Sequence, residues 1–119
     1  MMKIALIILT LGGTGNMQLA LSKAESMEDC AAKADVVEQI LSGAGYAIEA
    51  MRCGETDLVL TPYEHGRGEA DMRWTYHITL KGAALEDGFE LRPAESGNCQ
   101  ADAGAGQYCA ISAQGQIAQ

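Results

Sequence analysis

The sequence predicts an α+β fold: one N-terminal helix packed on a three-stranded antiparallel meander (αβββ), followed by a disulfide-looped C-terminal extension. Three observations predict it. Apolar residues recur at three- and four-residue steps through residues 26–42. Strict two-residue alternation runs through residues 72–81. Four cysteines, Cys30, Cys53, Cys99 and Cys109, all follow a short apolar block at the start of a 119-residue chain.

That first block reads as an export signal. Met1, Met2 and Lys3 form a short basic start, Ile4 to Leu11 are almost wholly apolar, and Gly12, Gly13 and Gly15 end the run. It is far shorter than the roughly 20 residues a helix needs to cross a bilayer. Small residues place cleavage after Ala24 or after Ser22, and an uncleaved N-terminal anchor is the alternative. The expected organisation is therefore a signal peptide over 1–24, an αβββ core over 25–93, and an Ala-, Gly- and Gln-rich extension over 94–119. Export implies a periplasmic or secreted protein, with no membrane association once the signal is cleaved. The whole chain carries a formal charge of −8; without its first 24 residues it keeps 6 Lys and Arg against 16 Asp and Glu, a charge of −10. Such a balance argues against nucleic acid and anionic membrane surfaces, and suits a basic partner or cations.

The helix is expected over Ser26–Ser42. The Ser26 hydroxyl can accept from a free N–H of the first turn, and Glu28 and Asp29 lie at the positive end of the helix dipole. Met27, Cys30, Ala34, Val37 and Leu41 make the apolar stripe, and Gly43 and Gly45 end the helix. Strands are expected over Tyr46–Arg52, Thr56–Tyr63 and Met72–Lys81. In the last, Met72, Trp74, Tyr76, Ile78 and Leu80 alternate with Arg73, Thr75, His77, Thr79 and Lys81, so Trp74 is expected in the core beside Val37 or Leu41. Leu58 and Leu60 share that buried face if they oppose Trp74 and Met72, which closes the hairpin on His65–Gly66–Arg67. Beyond Gly82, Phe89–Arg92 and Gln107–Ser112 can form short strands, residues 94–107 read as irregular, and Gln114–Gln119 as a frayed tail.

The cysteines are read as two disulfides. From Cys30 to Ser42 the helix rises about 18 Å, and from Tyr46 to Cys53 the strand returns about 23 Å. Both sulfurs therefore reach the same end of a helix–strand unit. Cys99 and Cys109 close a local loop, so Cys30–Cys53 with Cys99–Cys109 is favoured among three pairings. Glu49 shares strand parity with Cys53 and would point inward in a regular strand; a bulge, or a strand ending before Cys53, removes the conflict. No close C-x-x-C pair supports zinc or a redox motif.

Tyr63, Glu64, His65, Arg67, Glu69 and Asp71 gather around the second hairpin turn and are the candidate binding residues. A solvated hairpin tip is the plainer account of them. No G-x-S-x-G or H-E-x-x-H occurs, so no catalytic residue, metal or cofactor is assigned. The function expected is a non-enzymatic exported interaction module, an inhibitor or adaptor for a basic protein. The alternatives are a self-assembling envelope component, or a small cation-binding protein or enzyme using hairpin 63–71. The oligomeric state is left open.

Overall fold

A strand that is apolar on both of its faces organises the molecule. The computed structural model describes residues 3–11, 17–58, 60, 74–95 and 99–115. Its elements are β1 (Lys3–Leu11), β2 (Met17–Lys23), α1 (Met27–Gly43), β3 (Ala47–Thr56), β4 (Trp74–Leu80), β5 (Phe89–Ala94) and β6 (Gln107–Ser112). The six strands form one mixed sheet in the order β3-β1-β2-β6-β4-β5, curled into a half-barrel. The expectation of a helix on a three-stranded meander with an appended C-terminal extension is thus corrected. β6, from the supposed extension, is an interior strand between β2 and β4.

β1 pairs antiparallel with β2 on one edge and with β3 on the other. Ala5, Ile7 and Leu9 face the barrel interior, where they meet Leu19, Leu21, Leu60, Tyr76, Ile78, Phe89, Leu91 and Ala110. Leu6 and Ile8 face the other way, toward Cys30, Ala34 and Leu41 of α1 and Cys53 of β3. A strand covered on both faces needs no polar alternation, so it reads as a continuous apolar run. The block read as an export signal is therefore the wall shared by two cores. Cleavage after Ala24 or Ser22 would remove both β1 and nearly all of β2, so a cleaved chain cannot form this sheet.

α1 follows its sequence signals. The Ser26 hydroxyl accepts from the Asp29 N–H at 3.0 Å, and the Asp29 carboxylate accepts from the Glu25 N–H at 3.0 Å. That backbone bond, with Lys33 nearby, holds the Asp29 carboxyl below its ordinary value. At the far end, Tyr46 N–H reaches Leu41 O and Gly45 N–H reaches Ser42 O, with Gly45 at φ +84°. This is a Schellman turn, which needs a left-handed residue where Gly45 stands. Cys30, Ala34 and Leu41 are buried, and Val37 packs against them.

Both disulfides form as expected, Cys30–Cys53 joining α1 to β3 and Cys99–Cys109 anchoring β6. The Glu49 conflict resolves by a bulge. Leu9 opposes Ala50 and Thr10 opposes Ile48, which leaves Glu49 unpaired and exposed. Beyond the bulge the parity is reset, so Ile48 and Met51, three residues apart, both pack toward the helix.

The remaining differences concern β4. It pairs along one edge with β5 and along the other with β6. From Thr75 to Thr79 both edges are taken, and Trp74 stands opposite Ser112 rather than Leu58; of the strand expected over Thr56–Tyr63, residues 59 and 61–63 lie outside the described residues. Thr56 ends β3, while Leu58 and Leu60 pack in the barrel core; Met72, the expected partner of Leu60, lies outside the described residues. Pro93, which lacks an N–H, lies in β5 at the sheet edge, where that donor is not missed.

Side chains close the β2–β6 seam. These parallel strands share one ladder position, Gln18 opposite Ile111. Beyond it, the Ser112 hydroxyl donates to Leu19 O at 2.8 Å. The buried Gln114 amide accepts from Leu21 N–H at 2.7 Å and donates to Leu21 O at 2.8 Å, as a strand partner would. The Tyr76 hydroxyl, from β4, donates to Gln114 O at 2.7 Å. Leaving one such buried group unmet costs about 1–3 kcal/mol. Gln114, expected in a frayed tail, is thus buried and engaged.

Two expected outcomes follow from this arrangement. Leu6, Ile7, Ile8 and Leu9 are all buried; at about 1.5–3 kcal/mol each, their burial rivals the whole stability of a typical domain, about 5–15 kcal/mol. A chain beginning at Glu25 should therefore lose cooperative thermal unfolding by circular dichroism, whereas the full chain keeps it. Burial pushes the Tyr76 hydroxyl up to about 12. An unfolded tyrosine ionises near pH 10, so between about 10 and 12 the unfolded state holds fewer protons and stability falls as pH rises. Ultraviolet titration should show one late-ionising tyrosine, and Tyr76→Phe should abolish that step.

Candidate functional site

The six candidate binding residues of the predicted hairpin, Tyr63, Glu64, His65, Arg67, Glu69 and Asp71, lie outside the described residues. The four cysteines are all in disulfides. Among the described residues, no three His, Cys, Asp or Glu side chains cluster as metal ligands would. No helix among them is long and apolar enough to cross a membrane.

Two surfaces stand out instead. The first is the outer side of α1. Its inner stripe is spent on Cys30, Ala34, Val37 and Leu41, yet Val36 is 56% exposed and Ile40 49%. Four residues apart, they lie on one side of the helix. Tyr46, where the chain leaves the helix, is 50% exposed. Glu28, Asp35 and Glu38 are exposed on the same helix, and the bulge adds Glu49 nearby in sequence. The one lysine of α1, Lys33, donates to Lys23 O at 2.6 Å and lies 3.5 Å from Asp29. The helix therefore exposes an apolar pair on one side and carboxylates elsewhere on its surface. Sequence reading found the buried stripe and passed over this one, although Val36 and Ile40 were visible as apolar residues off the stripe.

The second surface is the outer face of β4, β5 and β6. Tyr76 and Ile78 point into the core, so Thr75, His77 and Thr79 point out, as their alternation predicted. Arg92 of β5 and Cys109 of β6 stand directly opposite His77 on either side. A shallow depression of about 310 Å³ lies here, lined by His77, Arg92, Pro93, Ala94, Cys99 and Gln100.

Trp74 departs from its expected burial against α1. It starts β4, is 41% exposed, and packs on Gly115: a Cβ added there would lie 2.5 Å from the indole. The indole thus lies over the backbone just beyond the Gln114 seam. α1 covers β1 and β3 at the opposite part of the sheet, so the helix is not available to cover Trp74.

No protein-family model matches the chain, and no curated protein or solved structure matches it either. The two disulfides are consistent with an oxidising extracellular or periplasmic environment.

Acrylamide should quench the Trp74 fluorescence readily in the folded protein. Gly115→Ala should push the indole outward, shifting its emission to longer wavelength and raising the quenching constant. An unchanged spectrum would mean that the indole does not rest on Gly115.

Proposed function

We propose that the protein is a non-enzymatic interaction module of an oxidising compartment, the periplasm or extracellular space, that keeps its N-terminal strands and acts as an inhibitor or adaptor, docking a basic partner on the outer side of α1. The observation that carries this reading is the exposed pair Val36 and Ile40 on one side of a helix that also exposes Glu28, Asp35 and Glu38, with Tyr46 exposed where the chain leaves it. Apolar side chains exposed together, with charged neighbours, are a common form of binding surface. Central aromatic and aliphatic anchors supply most of the binding energy, while charges at the rim steer the approach. The formal charge of −8 selects the sign of the partner.

The reading is tested by capture from envelope extract at low salt, followed by kinetics with the purified partner. That partner should be basic, and its association should slow as salt rises. Val36→Ala, Ile40→Ala and Tyr46→Ala together should weaken binding about tenfold or more, as loss of anchors does. Asp35→Asn with Glu38→Gln should act mainly on the association rate. All five positions are exposed, so the variants should melt like the parent. A partner indifferent to both sets overturns the reading, and concentration-dependent sedimentation of the chain alone replaces it with self-assembly.

A further inference from the structure

On the opposite part of the sheet from α1, we propose that the depression between β4, β5 and the Cys99–Cys109 disulfide is a carboxylate-binding site, with Arg92 and His77 as its donors. This inference is independent of the partner proposed for the helix. The register brings the two residues together: His77 and Arg92 are directly opposed in an antiparallel pair, so both side chains leave the same face, with Cβ atoms about 4.5–5.5 Å apart. Cys109 opposes His77 from the other side, and its disulfide draws Cys99 and Gln100 over the sheet as a rim. His77 thus lies at the base, with Arg92, Pro93 and Ala94 along one wall and Cys99 and Gln100 along the other.

The charge pattern sets the ligand. Among the described residues no carboxylate forms an ion pair with Arg92, although the chain has twice as many acids as bases. Glu90, two residues away on the same face, stands opposite Thr79 and forms no ion pair with Arg92. An arginine guanidinium offers a planar fork that matches a carboxylate in two parallel hydrogen bonds. A ring N–H of His77 can supply a third donor from the neighbouring strand. Pro93 and Ala94 add apolar contact for whatever carries the carboxylate. A volume of about 310 Å³ takes that group and one small residue, not a folded domain. A chain terminus and a free small acid share this chemistry.

The test is NMR of the His77 ring in the full, oxidised chain, assigned with His77→Gln. The probes are acetate, N-acetyl-Gly-Ala, and the amide of the same dipeptide. Both carboxylates should give saturable shifts in the millimolar range, and the amide should give none. Tighter binding of the dipeptide assigns a chain terminus; equal binding assigns a free acid. Arg92→Gln, at an exposed position, should keep the backbone spectrum and weaken carboxylate binding about tenfold or more, the usual consequence of losing a charged hydrogen-bond pair. Replacing Cys99 and Cys109 by alanine should also weaken it, because the rim is then untied. Equal shifts with the amide, shifts that rise without saturating, or undiminished binding by the Arg92→Gln protein would each overturn the proposal.

Discussion

Everything in this fold leans on β1. Its backbone is paired on both edges and its side chains are buried on both faces, so it has almost no contact with solvent between Ala5 and Leu9. The barrel interior uses Ala5, Ile7 and Leu9; the helix layer uses Leu6 and Ile8. Two cores that would each be small are thereby joined through one strand. In a chain of this length the core is necessarily modest. The Cys30–Cys53 bond reinforces the same place, since it ties α1 to β3 directly beside β1.

Curling such a sheet leaves backbone groups to be met where ladders run out, and side chains meet them. Gln114 acts as a surrogate strand residue toward Leu21, while Ser112 serves Leu19. At the outer edges β3 and β5 approach each other at one end. A Cβ on Gly54 would lie 3.0 Å from the Gly88 Cα, so the close approach favours glycine there. Arg52 Nε donates to Gly82 O at 2.9 Å, tying β3 to the loop after β4. Among the described residues no buried side-chain polar atom lacks a partner, which is what a stable curled sheet requires.

The architecture divides its exterior. α1 covers one end of the sheet and carries acidic and apolar groups outward. The outer face of β4–β6 is left to a short disulfide-bound segment and keeps its polar residues, including the Arg92–His77 pair. Two separate surfaces on different parts of a small domain can engage different ligands without competing. The Cys99–Cys109 bond takes part in this division, because it holds Cys99 and Gln100 over the outer face of the sheet.

Local signals determined what local physics controls. The limits of α1, the Ser26 cap and the Schellman turn follow from side chains and glycines within a few residues of each other. Both disulfide pairings follow from short connections, and the outward parity of His77 from simple alternation. Even the bulge was visible as a conflict, since Glu49 and Cys53 cannot share a regular face. Tertiary structure alone decided the rest. A run such as Ile4–Leu9 is apolar throughout whether it is an export segment or a strand buried on both faces, and periodicity cannot separate the two. The insertion of β6 between β2 and β4 joins residues some 90 positions apart, with a single ladder position between β2 and β6 and side chains doing the remaining pairing. That insertion closed the edge of β4 that β5 leaves open, which makes β4 an interior strand of a six-stranded sheet in place of the expected meander. It also placed Cys109 on the far side of His77 from Arg92, which the neighbouring strand β5 supplies, and so completed the second candidate site with a strand that no local pattern connects to the other two.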